Sequence, residues 1–235
     1  MRDQALIETI TRKVLEQIGG DQPCSGCALR VCDAGERACD AAISQSKIPV
    51  GVSARHAHVS QEHLDILYGR GHQLTTLAPL YQPGAFAAQE TLTVVGRRMR
   101  SIEGVRILGP SRDYTQVELA RTDAIRLGLD PPIRDSGDLA GSEPISLIGP
   151  AGSLYLNEGA ILATRHIHMT PQVAKSFGVE DGDSLKVRIP GNRALTLENI
   201  RPKISPSYVL QMHLDTDDSN AAGLRGGEAV ELLRD

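Results

Sequence analysis

The chain has 235 residues, carries a formal net charge of −4 at pH 7 and contains no tryptophan. This length is enough for one large or two small domains with a buried core. The acidic balance and the 3% content of aromatic residues argue against a general nucleic-acid binder, which needs a basic surface and stacking platforms. No apolar run reaches the ~18 residues of a membrane-spanning helix, and the N-terminus lacks the apolar core of a secretory signal, so we expect a cytoplasmic protein.

The first predicted element is an amphipathic helix within residues 1–20. Asp3 can cap it, Gly19 and Gly20 end it, and its apolar stripe consists of Leu6, Ile7, Ile10, Val14, Leu15 and Ile18. A helix this short needs a surface to cover its stripe. The loose connection that follows favours a partner over the chain's own core as that surface.

Residues 21–45 are predicted to form a flexible linker, and all four cysteines of the chain lie in it: Cys24, Cys27, Cys32 and Cys39. One Cys-x-x-Cys pair could contribute to a zinc or iron–sulfur site. The other spacings fit no standard set, which favours reduced thiols in a flexible segment. Because no cysteine follows Asp40, a cysteine nucleophile or a disulfide in the main body is excluded.

From Ile48 onward, short runs with alternating apolar residues predict β-strands, as in Leu92 with Val94 and Leu185 with Val187. Turn sequences such as Pro190-Gly191-Asn192 separate these runs. Many short strands with few short helices are typical of barrels. We therefore predict a mainly β fold with two small β-barrel domains that arose by internal duplication, with short capping helices.

A repeated motif supports the duplication. Arg55-His56-Ala57-His58 is matched by Arg165-His166-Ile167-His168, and the two pairs use four of the seven histidines. In a strand, residues i and i+2 point to the same face about 6.6 Å apart, so both imidazoles can reach one metal ion. The alternative is a pair of ordinary hydrogen-bonded histidines.

The similarity continues beyond the histidines. Ser60 in the first copy and Thr170-Pro171 in the second each begin a short helix. Farther along, Glu118 and His213 occupy equivalent places at a strand end before another short helix. Each repeat thus offers three ligands, and three protein ligands with an open fourth position are typical of a catalytic zinc site.

The phosphate loop, the dinucleotide fingerprint and the serine nucleophile elbow are all absent from the sequence. An anion would therefore have to be bound by arginines, which suit phosphate well. Five of them crowd one stretch, where a solvated basic hairpin is the alternative reading: Arg97, Arg98, Arg100, Arg106 and Arg112. Arg112 is distinctive because it lies in a tight turn leading into the strand of Glu118.

Together these residues resemble the PduL family of phosphotransacylases, the phosphate propanoyltransferases of bacterial microcompartments. The resemblance covers residues 48–234 and is carried by a set of segments: residues 49–58, Gln82-Pro83-Gly84-Ala85-Phe86-Ala87-Ala88, Gly109-Pro110-Ser111-Arg112, Asp135-Ser136-Gly137-Asp138-Leu139, Arg165-His166-Ile167-His168 and His213-Leu214-Asp215-Thr216-Asp217. One departure is Ala78-Pro79-Leu80-Tyr81, where the family leads us to expect a lysine.

The resemblance implies two barrels and two zinc ions per chain. One zinc would be held by His56, His58 and Glu118, and the other by His166, His168 and His213. It also implies that Arg112 holds phosphate with Ser136 nearby. The implied coenzyme A site contains Ser53, Arg106, Leu108, His213 and Asn220. The implied domain boundaries are discontinuous, with residues 46–55 joining 164–235 and residues 56–163 forming the other barrel.

The implied reaction is the reversible conversion of acyl-CoA and phosphate into acyl phosphate and coenzyme A, with a short acyl chain such as propanoyl or acetyl. The resemblance further implies a bacterial microcompartment for propanediol degradation. There the N-terminal helix would bind shell or core enzymes and promote homo-oligomers, dimeric or higher. Two alternatives remain at this stage: a two-zinc ester or phosphoester hydrolase, and a scaffold in which zinc only holds the barrels together.

Overall fold

The structure is a computed structural model that describes residues 47–233. Within this range fourteen strands and four short helices build two closed barrels. The predicted mainly β fold with two small barrels is therefore confirmed. The predicted helix and linker and the four cysteines lie outside the described residues.

Strands and helices are numbered in chain order. The strands are β1 (Lys47–Ser53), β2 (His56–His58), β3 (Thr76–Pro79), β4 (Phe86–Val95), β5 (Ser101–Gly109), β6 (Gln116–Leu119), β7 (Ile133–Arg134), β8 (Glu143–Ile148), β9 (Ser153–Ala163), β10 (His166–Met169), β11 (Leu185–Ile189), β12 (Leu195–Ile204), β13 (Gln211–Asp215) and β14 (Ala229–Leu233). The helices are α1 (Gln61–Tyr68), α2 (Arg121–Leu127), α3 (Pro171–Phe177) and α4 (Thr216–Ala222). Among the described helices, none is long and apolar enough to cross a bilayer.

The first barrel closes in the order β4, β5, β2, β6, β9 and β8, with β8 pairing back to β4. Strands β3 and β7 extend this sheet at β4 and β9. The short strand β2 runs parallel to β5 on one side and antiparallel to β6 on the other. Because β2 lies between two paired neighbours, its backbone is fixed and its histidines have defined directions.

The second barrel closes in the order β1, β13, β10, β12, β11 and β14, with β14 pairing back to β1. Its short strand β10 runs parallel to β12 and antiparallel to β13, which repeats the environment of β2. Strand β1 belongs to this barrel although it precedes β2 in sequence. The chain therefore crosses between the barrels just after Ser53, immediately before the first histidine pair.

Each barrel has its own aliphatic core. Val94 and Ile107 are fully buried in the first core, and Val187 and Ile189 in the second. These positions are among those at which sequence alternation predicted inward-facing strand residues. Burial of one such side chain contributes about 1.5–3 kcal/mol, so the two cores supply the main stabilisation of the two barrels.

The helices begin and end where the sequence indicates. The Ser60 and Thr170 hydroxyls accept hydrogen bonds from the first turns of α1 and α3, and Pro171 occupies the first turn of α3. Glycines in the left-handed conformation end α2, α3 and α4, which is the usual reason for glycine at a helix C-terminus. In both repeats a helix directly follows each strand that carries a candidate ligand.

Candidate active site

The strand register places the candidate ligands of the two repeats in equivalent positions. Where β2 pairs with β6, His56 lies opposite Glu118. Where β10 pairs with β13, His166 lies opposite His213. Because opposed residues in antiparallel strands have neighbouring side chains, each third ligand lies beside the first histidine of its pair.

The first group consists of His56, His58 and Glu118, which are 5%, 5% and 9% exposed. The Nε2 atom of His56 lies 3.5 Å from Oε2 of Glu118, and that of His58 lies 4.0 Å from Oε1. The candidate ligand atoms all lie within 4.8 Å of one another. One cation can therefore contact all three.

The second group consists of His166, His168 and His213. Their ring centroids lie 4.7–4.9 Å apart pairwise, and one ligand atom from each lies within 4.8 Å of the others. Both predicted three-ligand groups thus exist as clusters in the structure. The second group contains no carboxylate, which distinguishes its charge from that of the first.

Backbone carbonyls fix the tautomers of three histidines. Nδ1 of His56 lies 2.9 Å from the Ala54 carbonyl oxygen, and Nδ1 of His166 lies 2.8 Å from that of Thr164. Nδ1 of His58 lies 3.2 Å from the carbonyl oxygen of Leu108. Because a carbonyl oxygen only accepts, each Nδ1 carries the proton and each Nε2 presents a lone pair. This outer arrangement is typical of metal-binding histidines.

The other two histidines are also available as ligands. Nε2 of His213 lies 2.9 Å from Oε1 of Gln211, so it donates there and leaves its Nδ1 lone pair free. Nδ1 of His168 is buried and has no hydrogen-bond partner among the described residues. The ring of Tyr208 stacks on that of His168 with centroids 4.2 Å apart. A buried nitrogen without a partner is costly unless something binds the ring.

Burial sets the protonation of both groups. It is the largest cause that lowers the pKa of His58 and His168 to about 3 and that of His213 to about 4. Burial alone would raise the pKa of Glu118, but the neighbouring histidines outweigh it and lower that pKa. Burial likewise lowers the pKa of His166. At neutral pH these four histidines are therefore neutral and the Glu118 carboxyl group is ionised, which is the state required of metal ligands.

The two groups lie close enough to interact electrostatically. Glu118 and His56 both act electrostatically on the pKa of His213, and His166 acts on that of Glu118. The nitrogen and carboxylate donors, the fixed tautomers and the buried unpartnered nitrogen of His168 fit a divalent transition metal in each group. Each set supplies three protein ligands, as in catalytic zinc sites.

Arg112 and Ser136 lie together beside the first group. Nη1 of Arg112 donates to the Ser136 hydroxyl at 2.9 Å and to the Tyr114 hydroxyl at 2.6 Å. Nε2 of Gln116 donates to the same Ser136 oxygen at 2.7 Å and to Oε1 of Glu118 at 2.7 Å. A continuous network therefore joins the Arg112 guanidinium to a candidate metal ligand.

Of the five predicted coenzyme A residues, the structure places Ser53 and Leu108 in contact with the first group, and His213 is a member of the second. The Ser53 hydroxyl lies 3.5 Å from Nδ1 of His56, and the Leu108 carbonyl accepts from His58. Arg106 lies opposite His56 in the β2–β5 register, but its side chain donates to the Ala88 carbonyl at 2.7 Å. Asn220 is exposed on α4, and no side-chain hydrogen bond within residues 47–233 joins it to either group.

Three other arginines, Arg97, Arg55 and Arg165, make contacts outside the Arg112 network. Arg97 lies at the β4–β5 hairpin and contacts Glu143 at 3.5 Å, away from the Arg112 network. The arginines that precede the histidine pairs contact the helix after the third ligand. Nη1 of Arg55 donates to Asp123 at 2.7 Å, and Arg165 contacts both oxygens of Asp218 at 2.6 and 2.7 Å. These two ion pairs join the residue before each histidine pair to the helix that follows the third ligand.

Sequence reasoning missed several residues of the site. Gln116 and Gln211 lie opposite His58 and His168, so they are also equivalent. The repeat contained that signal, because each glutamine precedes the third ligand by two positions. Tyr208 and Lys203 carried no such signal, because their contacts with the histidines arise only when distant strands pair.

Two closed barrels, each with a three-ligand group that could hold a metal ion, define a mainly β protein with a candidate metal-dependent active site. The sequence model of the phosphate propanoyltransferase family matches residues 49–225. A phosphate propanoyltransferase of Thermotoga maritima is 49% identical over 187 residues, which is 79% of this chain and 89% of that protein. The chain therefore belongs to the phosphate propanoyltransferase family and is an acyltransferase, as its resemblance predicted.

Two further relatives bear the same name. The phosphate propanoyltransferase of Lachnoclostridium phytofermentans is 48% identical over 186 residues, covering 79% of this chain and 87% of that protein. That of Planctopirus limnophila is 40% identical over 233 residues, covering 98% of this chain and 91% of that protein. The similarity thus extends over both barrels.

Proposed function

We propose that this protein interconverts acyl-CoA plus phosphate and acyl phosphate plus coenzyme A, with propanoyl or acetyl as the acyl group. The observation that carries the proposal is the network from Arg112 through Ser136 and Gln116 to Glu118. It sets a planar cation, suited to phosphate, beside a group that could hold a metal. Relatives named for transfer between propanoyl groups and phosphate support the same reaction.

In this proposal Arg112 binds phosphate and aligns one of its oxygens with the thioester carbonyl carbon. A new carbon–oxygen bond forms, the carbon–sulfur bond breaks, and coenzyme A leaves as a thiolate. The absence of cysteine after Cys39 favours direct transfer in a ternary complex over a cysteine-linked acyl-enzyme. Ser136 holds the Arg112 guanidinium in place through its 2.9 Å hydrogen bond.

We assign one zinc ion to His56, His58 and Glu118 and a second to His166, His168 and His213. When bound, zinc supplies Lewis acidity for the carbonyl and favours the thiolate form of the leaving sulfur. The ligand residues contribute charge and orientation. The tautomers set by Ala54, Leu108 and Thr164 direct three Nε2 lone pairs into the site.

For coenzyme A we propose a path along Ser53, Arg106, Leu108, His213 and Asn220. The adjacency of β1, β2 and β5 to the first group supports the first three residues. We also propose that residues 46–55 with 164–235 and residues 56–163 are the two domains. We further propose that the protein forms a homo-oligomer and is located in a bacterial microcompartment. An N-terminal helix within residues 1–20 would direct it there.

The deciding experiment follows the loss of propanoyl-CoA with and without inorganic phosphate. Loss that depends on phosphate and yields acyl phosphate supports the proposal. Loss without phosphate would indicate the hydrolase, and no loss with metal present would indicate the scaffold. Arg97→Ala serves as a matched control for Arg112→Ala, because Arg97 lies at the exposed hairpin.

The zinc assignment is tested by elemental analysis of the full chain with the four cysteines changed to serine. We expect two zinc ions per chain. Glu118→Ala and His213→Ala should each remove about one ion, because each change leaves two ligands in one group and the other group intact. A parent chain with one ion or none would refute the two-zinc assignment.

A further inference from the structure

Lys203 lies beside the second histidine group. In the parallel register of β10 and β12 it is paired with His168, and Arg201 is paired with His166. Its side chain is 23% exposed. The equivalent strand of the first barrel has Arg106 opposite His56 and Leu108 two positions later. The second repeat thus has a half-buried cation where the first has an apolar side chain.

The contact that Lys203 makes with Asp135 leaves one oxygen of the carboxylate unsatisfied. Nζ of Lys203 lies 3.9 Å from Oδ1 of Asp135, beyond hydrogen-bond distance. That oxygen is buried without a hydrogen-bond partner, whereas Oδ2 accepts from Arg201 at 3.0 Å. An ammonium group has three donors, and Lys203 makes no side-chain hydrogen bond to another residue within 47–233, so these donors are available to an acceptor. The site is therefore prepared for a further acceptor next to Lys203.

The charge around the second group also favours an anion. Its three histidines provide no negative charge, whereas the first group contains Glu118. Lys203 adds a positive charge close enough to help lower the pKa of all three histidines, after the larger effect of burial on each. A divalent metal bound there would raise the positive charge further, with Asp135 as the nearby carboxylate.

A short segment relates Lys203 to Arg112. Asp135 contacts Lys203, and the next residue, Ser136, accepts the hydrogen bond from Arg112. Consecutive Cα atoms are about 3.8 Å apart, so the two cations flank one short piece of backbone from opposite barrels. Arg112 is beside the first group and Lys203 beside the second.

We propose that Lys203 is a second binding residue for the phosphate that accepts the acyl group, donating to an oxygen of the same phosphate or acyl phosphate that Arg112 holds. The inference rests on the proposed function and deepens it by adding a contact from the second barrel. Coenzyme A also carries phosphate groups, so the alternative ligand of Lys203 is a phosphate group of coenzyme A. The experiment separates the two sources by measuring inorganic phosphate and coenzyme A independently.

The test compares Lys203→Met, which keeps the stem without the charge, with Lys203→Arg and with Lys175→Met on the exposed face of α3. Calorimetry measures the binding of inorganic phosphate and of coenzyme A to the zinc-loaded protein, and kinetics give KM for phosphate and for propanoyl-CoA. For Lys203→Met we expect phosphate binding to weaken and its KM to rise about 10- to 100-fold, the effect of losing one charge-assisted bond. Zinc content and coenzyme A binding should stay unchanged, Lys203→Arg should restore part of the loss, and Lys175→Met should match the parent.

Unchanged phosphate binding in Lys203→Met would overturn the inference, as would a loss confined to coenzyme A. Thermal unfolding checks that each variant is folded, and Lys203→Gln replaces Lys203→Met if the latter is not. Failure of the proposed function is recognised separately, because it would appear in the parent protein as propanoyl-CoA loss that does not depend on phosphate.

Discussion

The orientation of Glu118 depends on Gln116, whose side-chain nitrogen donates at 2.7 Å both to Glu118 and to Ser136. The side-chain oxygen Oε1 of Gln116 in turn accepts a hydrogen bond from the backbone N–H of Gly137 at 2.8 Å. Every polar group of this buried amide therefore has a partner, as a specific buried network requires. Ser136 and Gln116 thus connect the Arg112 guanidinium to the first candidate metal group.

At this scale we predict that Arg112→Ala mainly damages the use of phosphate. Loss of a charge-assisted bidentate contact costs on the order of 2–4 kcal/mol, or about 30- to 1000-fold in the phosphate-dependent rate. Initial rates at varied phosphate, with zinc content measured on the same samples, check the prediction. Zinc should be unchanged because Arg112 is not a member of either ligand group. Normal phosphate kinetics in this variant would remove Arg112 from the site.

The lowered histidine pKa values predict the pH dependence of stability. His58 and His168 have a pKa of about 3 in the folded protein, against about 6.5 when unfolded. Between these values the unfolded chain binds more protons, so the free energy of unfolding falls as pH falls. We expect metal-free protein to melt at a lower temperature at pH 5.5 than at pH 7.5, by calorimetry. The difference should shrink in His168→Gln, and an equal difference there would contradict the assignment.

The strand-to-helix units are the elements that orient the ligands. In each repeat the arginine before the histidine pair contacts an aspartate in the first turn of the helix that follows the third ligand, through Arg55–Asp123 and Arg165–Asp218. The ion pair thus joins the two strands that carry one ligand group. The aspartate also lies where a negative charge interacts favourably with the helix N-terminus.

We predict that Asp218→Asn weakens metal binding by the second group, because Arg165 would lose its bidentate partner and β10 its connection to α4. Mutation of a residue that orients a metal ligand typically lowers metal affinity 10- to 100-fold, and we expect the zinc affinity of the second group to fall by about this factor. Competition with a zinc chelator measures it, with Asp181→Asn at an exposed turn as the control. An affinity equal to that of the control would show that the pair has no positioning role.

Local signals explain which elements the sequence could predict. Ser60 and Thr170-Pro171 predicted helix starts because caps act within one turn, and the alternation at Val187 and Ile189 predicted a strand because it reflects burial on one face. Glu118 and His213 could be predicted as third ligands because they occupy equivalent positions in the two repeats. The contact of Lys203 with Asp135 was not predictable, because it joins β12 of the second barrel to the loop between β7 and β8 of the first, through strand pairing that no local pattern encodes.

At the scale of the whole molecule, polar contacts join the two barrels that carry the ligand groups. The backbone nitrogen of Thr122, at the start of α2, donates to Asp217 of α4 at 2.8 Å. The Gln82 amide exchanges two hydrogen bonds with the Val209 backbone at 2.9 and 3.0 Å. Val209 follows Tyr208, which stacks on His168, so the contact between barrels also fixes one wall of the second group.

The N-terminal segment leads to the last prediction, which concerns assembly. The family match begins at residue 49, and both ligand groups lie beyond that point. We predict that deletion of residues 1–20 leaves turnover and zinc content unchanged but reduces self-association and abolishes packaging into a microcompartment. Light scattering, kinetics and co-purification with shell proteins measure these effects.

A matched full-length variant, with Leu6, Ile10 and Val14 changed to serine, separates the apolar stripe from mere length. It should behave like the deletion, because an amphipathic helix that binds in a groove depends on its apolar face. If the helix instead packed on its own catalytic barrels, both variants would expose apolar surface of the core. Lower melting temperatures together with lost activity would then be observed, and the segment would be structural and not an assembly signal.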